Sequence, residues 1–300
     1  MGLAELGGLL GPCVVWGHPV RAGMVAEALG APVIGRLEDG AGALVVVGGG
    51  TRIDRAKWLW RRQQPGALLA AVPTLWGSGA EVSPVAVLNE ADAKAVHVDD
   101  ALRPDFAAYV DSFAADIPDG LLASARGDVW AHALEGFLSP LGSDASRAGA
   151  AELLRRLLAA PGLRDPAWFR LSGEACLAQA ATSVGLVHAI AHELEIPLAT
   201  AGGRQPPWSH AELCAAFLLP CLRYALSRSP KAGSLLAAHG LDARHIEAAC
   251  AAVFDAAAYQ ALLPALAANW GRVVRNPLAR MNVASVRDAS AAFFLEFSGP

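Results

Sequence analysis

The sequence predicts two architectures in succession, an α/β domain over residues 1–112 and an all-helical domain over residues 113–300. Two observations carry that reading. Short apolar runs alternate with helical segments as far as Asp111. Beyond Ile117-Pro118 the runs become long, Ala/Leu-rich and helically spaced.

In the first part, Cys13 to Trp16 reads as a buried strand ending at Gly17, and Arg21 to Leu29 as a helix stopped by Gly30. Pro32-Val33-Ile34 is a second short strand candidate, and Ala43 to Val47 is the clearest strand in the chain. That strand runs into Gly48-Gly49-Gly50-Thr51 and then a helix through Arg62. A strand, a glycine turn and a helix N-terminus can cradle phosphate, because free N–H groups and the helix dipole favour negative charge. The competing reading is a tight turn whose glycines supply positive φ. The spacing is not the Gly-x-Gly-x-x-Gly dinucleotide fingerprint. Leu68 to Val72 is another strand, followed by a loop of small and hydroxylated residues, Leu75 to Pro84. Val85 to Leu88 is strand-like, Asn89 to Lys94 a polar turn, and Ala107 to Val110 precedes Asp111.

In the second part, helices are expected over 120–138, 145–159, 172–193, 210–227, 231–238, 243–256, 258–272 and 283–296. The breaks fall at Pro161-Gly162, Gly202-Gly203, Pro206-Pro207, Ser229-Pro230 and Asn276-Pro277.

Hydrophobic residues make up 54% and charged residues 17% of the 300 positions. Mean hydropathy is +0.36. Such a chain folds compactly, and its apolar surplus leaves room for a homodimer. The net charge of −4 offers no basic field, so nucleic acid is not an expected partner. The five cysteines are widely spaced with no Cys-x-x-Cys, which fits free thiols in a reducing cytoplasm. The first residues lack the cationic start of a signal peptide, and no uninterrupted apolar run reaches the ~18 residues of a membrane span.

The chemistry-bearing residues cluster in the helical part. Asp128 and His132 are four apart, so they share a helix face, and His188 and His192 repeat that spacing on another helix. His210 follows. A carboxylate and imidazoles on facing helices make a mixed N/O donor set for a first-row divalent metal. Either pair alone is more often a cap, a surface pair or a satisfied core group.

Four separated motifs resemble the iron-dependent (group III) alcohol dehydrogenase family, whose fold is shared more distantly with dehydroquinate synthase. They are Gly48-Gly49-Gly50-Thr51-x-x-Asp54-x-x-Lys57, then Val72-Pro73-Thr74-Leu75-Trp76-Gly77-Ser78-Gly79-Ala80-Glu81-Val82, then Pro104 to Asp111. The fourth is Gly127-Asp128-x-x-x-His132-Ala133-x-Glu135 with His188-Ala189-x-Ala191-His192. The likeness runs from about residue 40 to 225, with a family-like Asn276-Pro277 beyond.

The resemblance implies a Rossmann-like α/β nucleotide domain followed by an all-α domain. It implies metal ligation by Asp128, His132, His188 and His210, with Fe(II) or Zn(II) as the ion, and His192 beside the substrate as a binding or proton-relay group. Gly49, Gly50 and Thr51 would hold the pyrophosphate of NAD or NADP, with Asp54 on the same turn. Thr74, Leu75, Ser78 and Val82 would line the adenine, ribose and nicotinamide side, and Lys94 the nicotinamide ribose. The implied reaction is hydride transfer between nicotinamide and a small aldehyde or alcohol. The Trp76 to Val87 loop and the Asp128–Glu135 helix also resemble the phosphonoacetaldehyde reductase branch, whose substrate is a small anionic aldehyde. A non-catalytic, drifted homologue that binds nucleotide or a partner is the third reading.

This sequence departs from the family pattern in places. The segment Leu194–Ser209 is longer than usual, Leu75 and Ser78 replace threonines, and Gly17-His18 stands where an acidic residue often contacts ribose. His18 reads as an ordinary loop histidine, and Arg204 as a candidate anion contact.

Overall fold

A computed structural model describes residues 1–40, 42–90, 93–160, 162–201, 204–286 and 291–300. Two compact units emerge, one comprising Met1–Pro118 with Arg164–Leu177, the other Asp119–Leu163 with Ala178–Pro300.

In the first unit, strands β1 (Cys13–Gly17), β2 (Ala43–Gly48), β3 (Leu69–Pro73) and the two-residue β6 (Phe106–Ala107) form a parallel sheet in the order β1-β2-β3-β6. Strands β2 and β3 are buried along their whole length, which is why they read as continuous apolar runs rather than alternating ones. Helix α1 (Leu3–Leu10) precedes β1, α2 (Pro19–Leu29) joins β1 to β2, and α3 (Gly50–Gln63) joins β2 to β3. Leu44 and Val46 of β2, Leu69 and Ala71 of β3, and Ile53 and Trp60 of α3 share one core. A separate antiparallel hairpin is made by β4 (Val85–Glu90) and β5 (Ala93–Val98).

The second unit holds most of the longer helices: α4 (Asp119–Leu138), α5 (Asp144–Leu158), α7 (Leu186–Thr200), α8 (His210–Arg228), α9 (Pro230–Ala238), α10 (Ala243–Ala251), α11 (Ala256–Val273) and the short α12 (Ala292–Leu295). Helix α6 (Ala167–Ala180) groups with the first unit through residue 177. Its reason is local: Trp168 stacks on Trp76 at 4.8 Å, and the Gly77 N–H donates to Ser172 Oγ at 2.7 Å. Among the described residues no single helix is long and apolar enough to cross a membrane.

Several sequence expectations shift. Residues 172–193 are not one helix: α6 ends at Ala180 and α7 begins at Leu186, with Gly185 as its N-cap. Pro32-Val33-Ile34 contributes only an isolated bridge, Val15 to Val33. Most of the expected polar turn at 89–94 is strand, since Ala93 to Val98 pairs back antiparallel on β4. Residues 91 and 92 of that turn, Pro161, Gly202-Gly203 and residues 287–290 of the expected last helix lie outside the described residues.

Candidate metal centre and nucleotide turn

Helices α4, α7 and α8 bring the polar cluster together. Gly127 makes this possible: a Cβ there would lie 2.5 Å from the Cβ and 2.6 Å from the Cα of Ala215, so α4 and α8 approach backbone to backbone. The next residue, Asp128, is 3% exposed. Its Oδ1 lies 3.7 Å from His132 Nδ1, 3.6 Å from His188 Nε2 and 4.0 Å from His210 Nε2. The rings of His132 and His188 are 4.6 Å apart, and those of His188 and His210 5.4 Å. The lengthened segment before α8 therefore returns His210 to the cluster. His210 is the first residue of α8, fixed there by the Ser209–Glu212 capping box.

The separations are those of ligands rather than of hydrogen-bond partners. Two donors each about 2.1 Å from a tetrahedral ion stand about 3.4 Å apart. Asp128 Oδ1, His132 Nδ1 and His188 Nε2 are all buried and have no hydrogen-bond partner. Such groups are costly to leave unmade, and a divalent cation satisfies all three at once. The residues present thus fit a metal ion.

Two carboxylates orient the imidazoles from behind. Glu135, two turns beyond Asp128, accepts the Val187 N–H through Oε1 at 2.6 Å and faces His188 Nδ1 through Oε2, also at 2.6 Å. Gly185 leaves room for it, since a Cβ would stand 3.0 Å from Oε1. The carboxylate thus sits on the N-terminus of α7, where free N–H groups favour negative charge, and it turns the His188 Nε2 lone pair toward Asp128. Glu195 Oε2 lies 3.4 Å from His210 Nδ1, at ion-pair distance but without the hydrogen bond that joins Glu135 to His188. His192 stands at the rim, its ring 5.2 Å from that of His210 and 6.4 Å from that of His188. Cys214, one turn after His210, is buried with Sγ 3.6 Å from His210 Nε2.

Charge follows this arrangement. Burial alone would raise the Asp128 carboxyl, but the surrounding imidazoles hold it well below the usual range. Burial lowers the His132 imidazole to about 4, which leaves it neutral and able to ligate. His188 is pulled down by burial but pushed up more strongly by the facing carboxylates of Asp128 and Glu135, to about 9. An incoming cation would have to displace that proton.

The first unit presents a different picture. Gly48, Gly49 and Gly50 are not among the positive-φ glycines; close neighbours crowd Gly48 and Gly50, whereas a Cβ on Gly49 would meet nothing within 4 Å. A Cβ on Gly50 would lie 2.5 Å from Ser78 Oγ. Gly49 caps α3 and Thr51 is exposed in its first turn. Thr74 N–H donates to Gly48 O at 3.0 Å, and Arg21 Nη1 holds Thr74 O at 2.6 Å. Residues 49–51, Thr74 and Ser78 thus lie side by side, with Leu75 half-buried. Val82 packs instead toward Gly173 of α6. Asp54 points into the fold: Oδ1 pairs with buried Lys57 Nζ at 3.0 Å and Oδ2 accepts the Val87 N–H at 3.1 Å. Lys57 also donates to Ala80 O and Val85 O. Asp54 and Lys57 therefore clamp the β4 hairpin onto α3. Burial raises the Asp54 carboxyl, opposed mainly by Lys57 and the Val87 N–H and least by Lys94 on β5. His18 accepts the Arg21 N–H and caps α2. Arg204 pairs with Glu212 at 2.8 Å and lies over Trp208, so its charge is engaged.

A family profile described as iron-containing alcohol dehydrogenase matches residues 35–111. The 1-propanol dehydrogenase PduQ of Salmonella typhimurium is 33% identical over 162 residues, which is 49% of this chain and 44% of that protein. Over these stretches the chain is similar to the iron-containing alcohol dehydrogenase family. The matched stretch covers less than half the length of that relative. The fold is shared with the iron-containing alcohol dehydrogenase of Thermococcus thioreducens, at a TM-score of 0.75 and 19% identity, covering 98% of this chain and 95% of that one. A maleylacetate reductase from Agrobacterium tumefaciens gives 0.74 and 21% identity, covering 92% and 86%.

The residues at the cluster to which spacing assigned no role are Glu135, Glu195 and Cys214. Glu135 and Cys214 carried a signal, seven residues beyond Asp128 and four beyond His210.

Proposed function

We propose that the protein is a metal-dependent, NAD(P)H-linked alcohol dehydrogenase acting as a reductase of small aldehydes, with the reverse oxidation available. The supporting observation is the trio of buried, unpartnered donor atoms on Asp128, His132 and His188. With His210, these residues would hold Fe(II) or Zn(II). A bound ion there would supply Lewis acidity, drawing charge onto the substrate oxygen as hydride passes between the carbinol carbon and the nicotinamide.

The remaining work falls to the chain's own groups. Glu135 and Glu195 fix the ring planes of His188 and His210. His192, at the rim of the cluster, exchanges the substrate proton with solvent, as imidazole can near neutral pH. In the first unit, the N–H groups opening α3 at Gly50 and Thr51 would hold the pyrophosphate, with Thr74, Leu75 and Ser78 alongside. Asp54 supports that turn from within the fold, and Lys94 flanks the nucleotide side.

The test combines metal analysis of the purified protein with an NAD(P)H oxidation screen over small aldehydes, neutral and anionic, the latter including phosphonoacetaldehyde. His188→Ala is expected to reduce both metal content and rate to background. Full activity in that variant, or no turnover of any aldehyde by the metal-loaded protein, would sink the proposal.

A further inference from the structure

We propose that Cys214 supplies a thiolate to the metal centre, adding a sulfur donor to Asp128, His132, His188 and His210. The inference deepens the function proposed above and rests on it. One ligand atom each from Asp128, His188, His210 and Cys214 lies within 4.8 Å of every other. Asp128 and His188 are each 3% exposed, and their facing atoms, Oδ1 and Nε2, have no hydrogen-bond partner. Cys214 is fully buried on α8, one turn after His210 and on the same side of the helix.

Distance makes the case specific. Taking zinc–sulfur as about 2.3 Å and zinc–nitrogen as about 2.05 Å, a tetrahedral ion sets sulfur and nitrogen about 3.6 Å apart. Sγ of Cys214 stands 3.6 Å from Nε2 of His210. A thiol donating a hydrogen bond to a neutral imidazole also fits that length, so the competing account is a Cys214 that merely orients His210. The four other cysteines are not part of the cluster. Gly127 again matters, because the close approach of α4 to α8 at Ala215, the residue after Cys214, sets the thiol beside Asp128.

The chemistry differs from an all-nitrogen and oxygen site. On ligation the thiol S–H bond breaks, its proton leaves to solvent and the sulfur lone pair goes to the ion, with no change of oxidation state. A soft sulfur donor moves preference toward zinc and away from iron(II).

Cobalt(II) reports the difference directly. The full chain, freed of metal and reloaded with cobalt(II), is expected to show a sulfur-to-cobalt charge-transfer band in the near ultraviolet besides the visible d–d bands. Cys214→Ser is expected to lose the charge-transfer band and keep the d–d bands. X-ray absorption at the cobalt edge of the wild-type protein, expected to show one sulfur neighbour, settles the matter if the variant fails to fold. Cobalt bound with nitrogen and oxygen neighbours only would overturn this inference and leave the proposed function standing. A charge-transfer band that survives in Cys214→Ser would also overturn it. No cobalt bound at all would overturn both.

Discussion

The two polar constellations of this chain are built on opposite plans. Around Asp128 the buried donor atoms of Asp128, His132 and His188 face one another without hydrogen-bond partners, and three imidazole nitrogens lie within 4.0 Å of one carboxylate oxygen. Around the glycine turn the charged residues of the motif are consumed internally, Asp54 by Lys57 and Val87, Lys57 by Asp54, Ala80 and Val85. The first arrangement is costly unless a cation enters; the second is complete as it stands. A sequence motif therefore mixes residues that meet a ligand with residues that brace those that do.

The contrast can be broken most sharply at Lys57. Replacing it with Met leaves the Asp54 carboxylate buried and unpaired, which should cost about 3–5 kcal/mol of stability. Urea unfolding measures it, and a loss below ~1 kcal/mol would show that the clamp is dispensable. Within the same unit, burial pushes the Glu81 carboxyl up from 4.5 to about 7. The folded state keeps that proton while the unfolded chain releases it, so stability should fall as pH rises from about 4.5 to about 7. The span corresponds to about 3 kcal/mol. Glu81→Gln is expected to flatten that profile; a slope unchanged in the variant would assign it elsewhere.

The metal side should respond through affinity more than through folding. Glu135→Gln keeps the shape but weakens the orientation of His188, and metal binding should drop about 10–100-fold. Competition with a chelator reads this, and unchanged affinity would remove Glu135 from the site. Ser209→Ala removes the cap that starts α8 at His210, with an expected loss of about 1 kcal/mol in thermal or urea unfolding. A neutral result would show that Glu212 alone holds the turn.

Legibility in the sequence followed the range of the cause. Strands β2 and β3 and helices α4, α5 and α8 could be read because period and composition are local. The break between α6 and α7 could not, because it depends on Glu135 arriving from α4 to bind the α7 N-terminus beside Gly185. Strand β5 was obscured by the polar residues of its turn and by Ala95-Val96, which break any apolar alternation between Lys94 and His97. For the site, spacing pointed to Asp128, His132, His188 and His210 as candidates, but the backing carboxylates and Cys214 emerge only from the packing of three helices. Asp54 shows the converse, a polar motif residue whose side chain turns inward.

One feature reaches past the reaction itself. Every donor in the cluster comes from α4, α7 or α8, all within the second unit. An ion seated there would rivet three helices from a single point, and its binding free energy would become resistance of that unit to unfolding. Scarcity of the metal would then loosen the helical half while the parallel sheet kept its own hold.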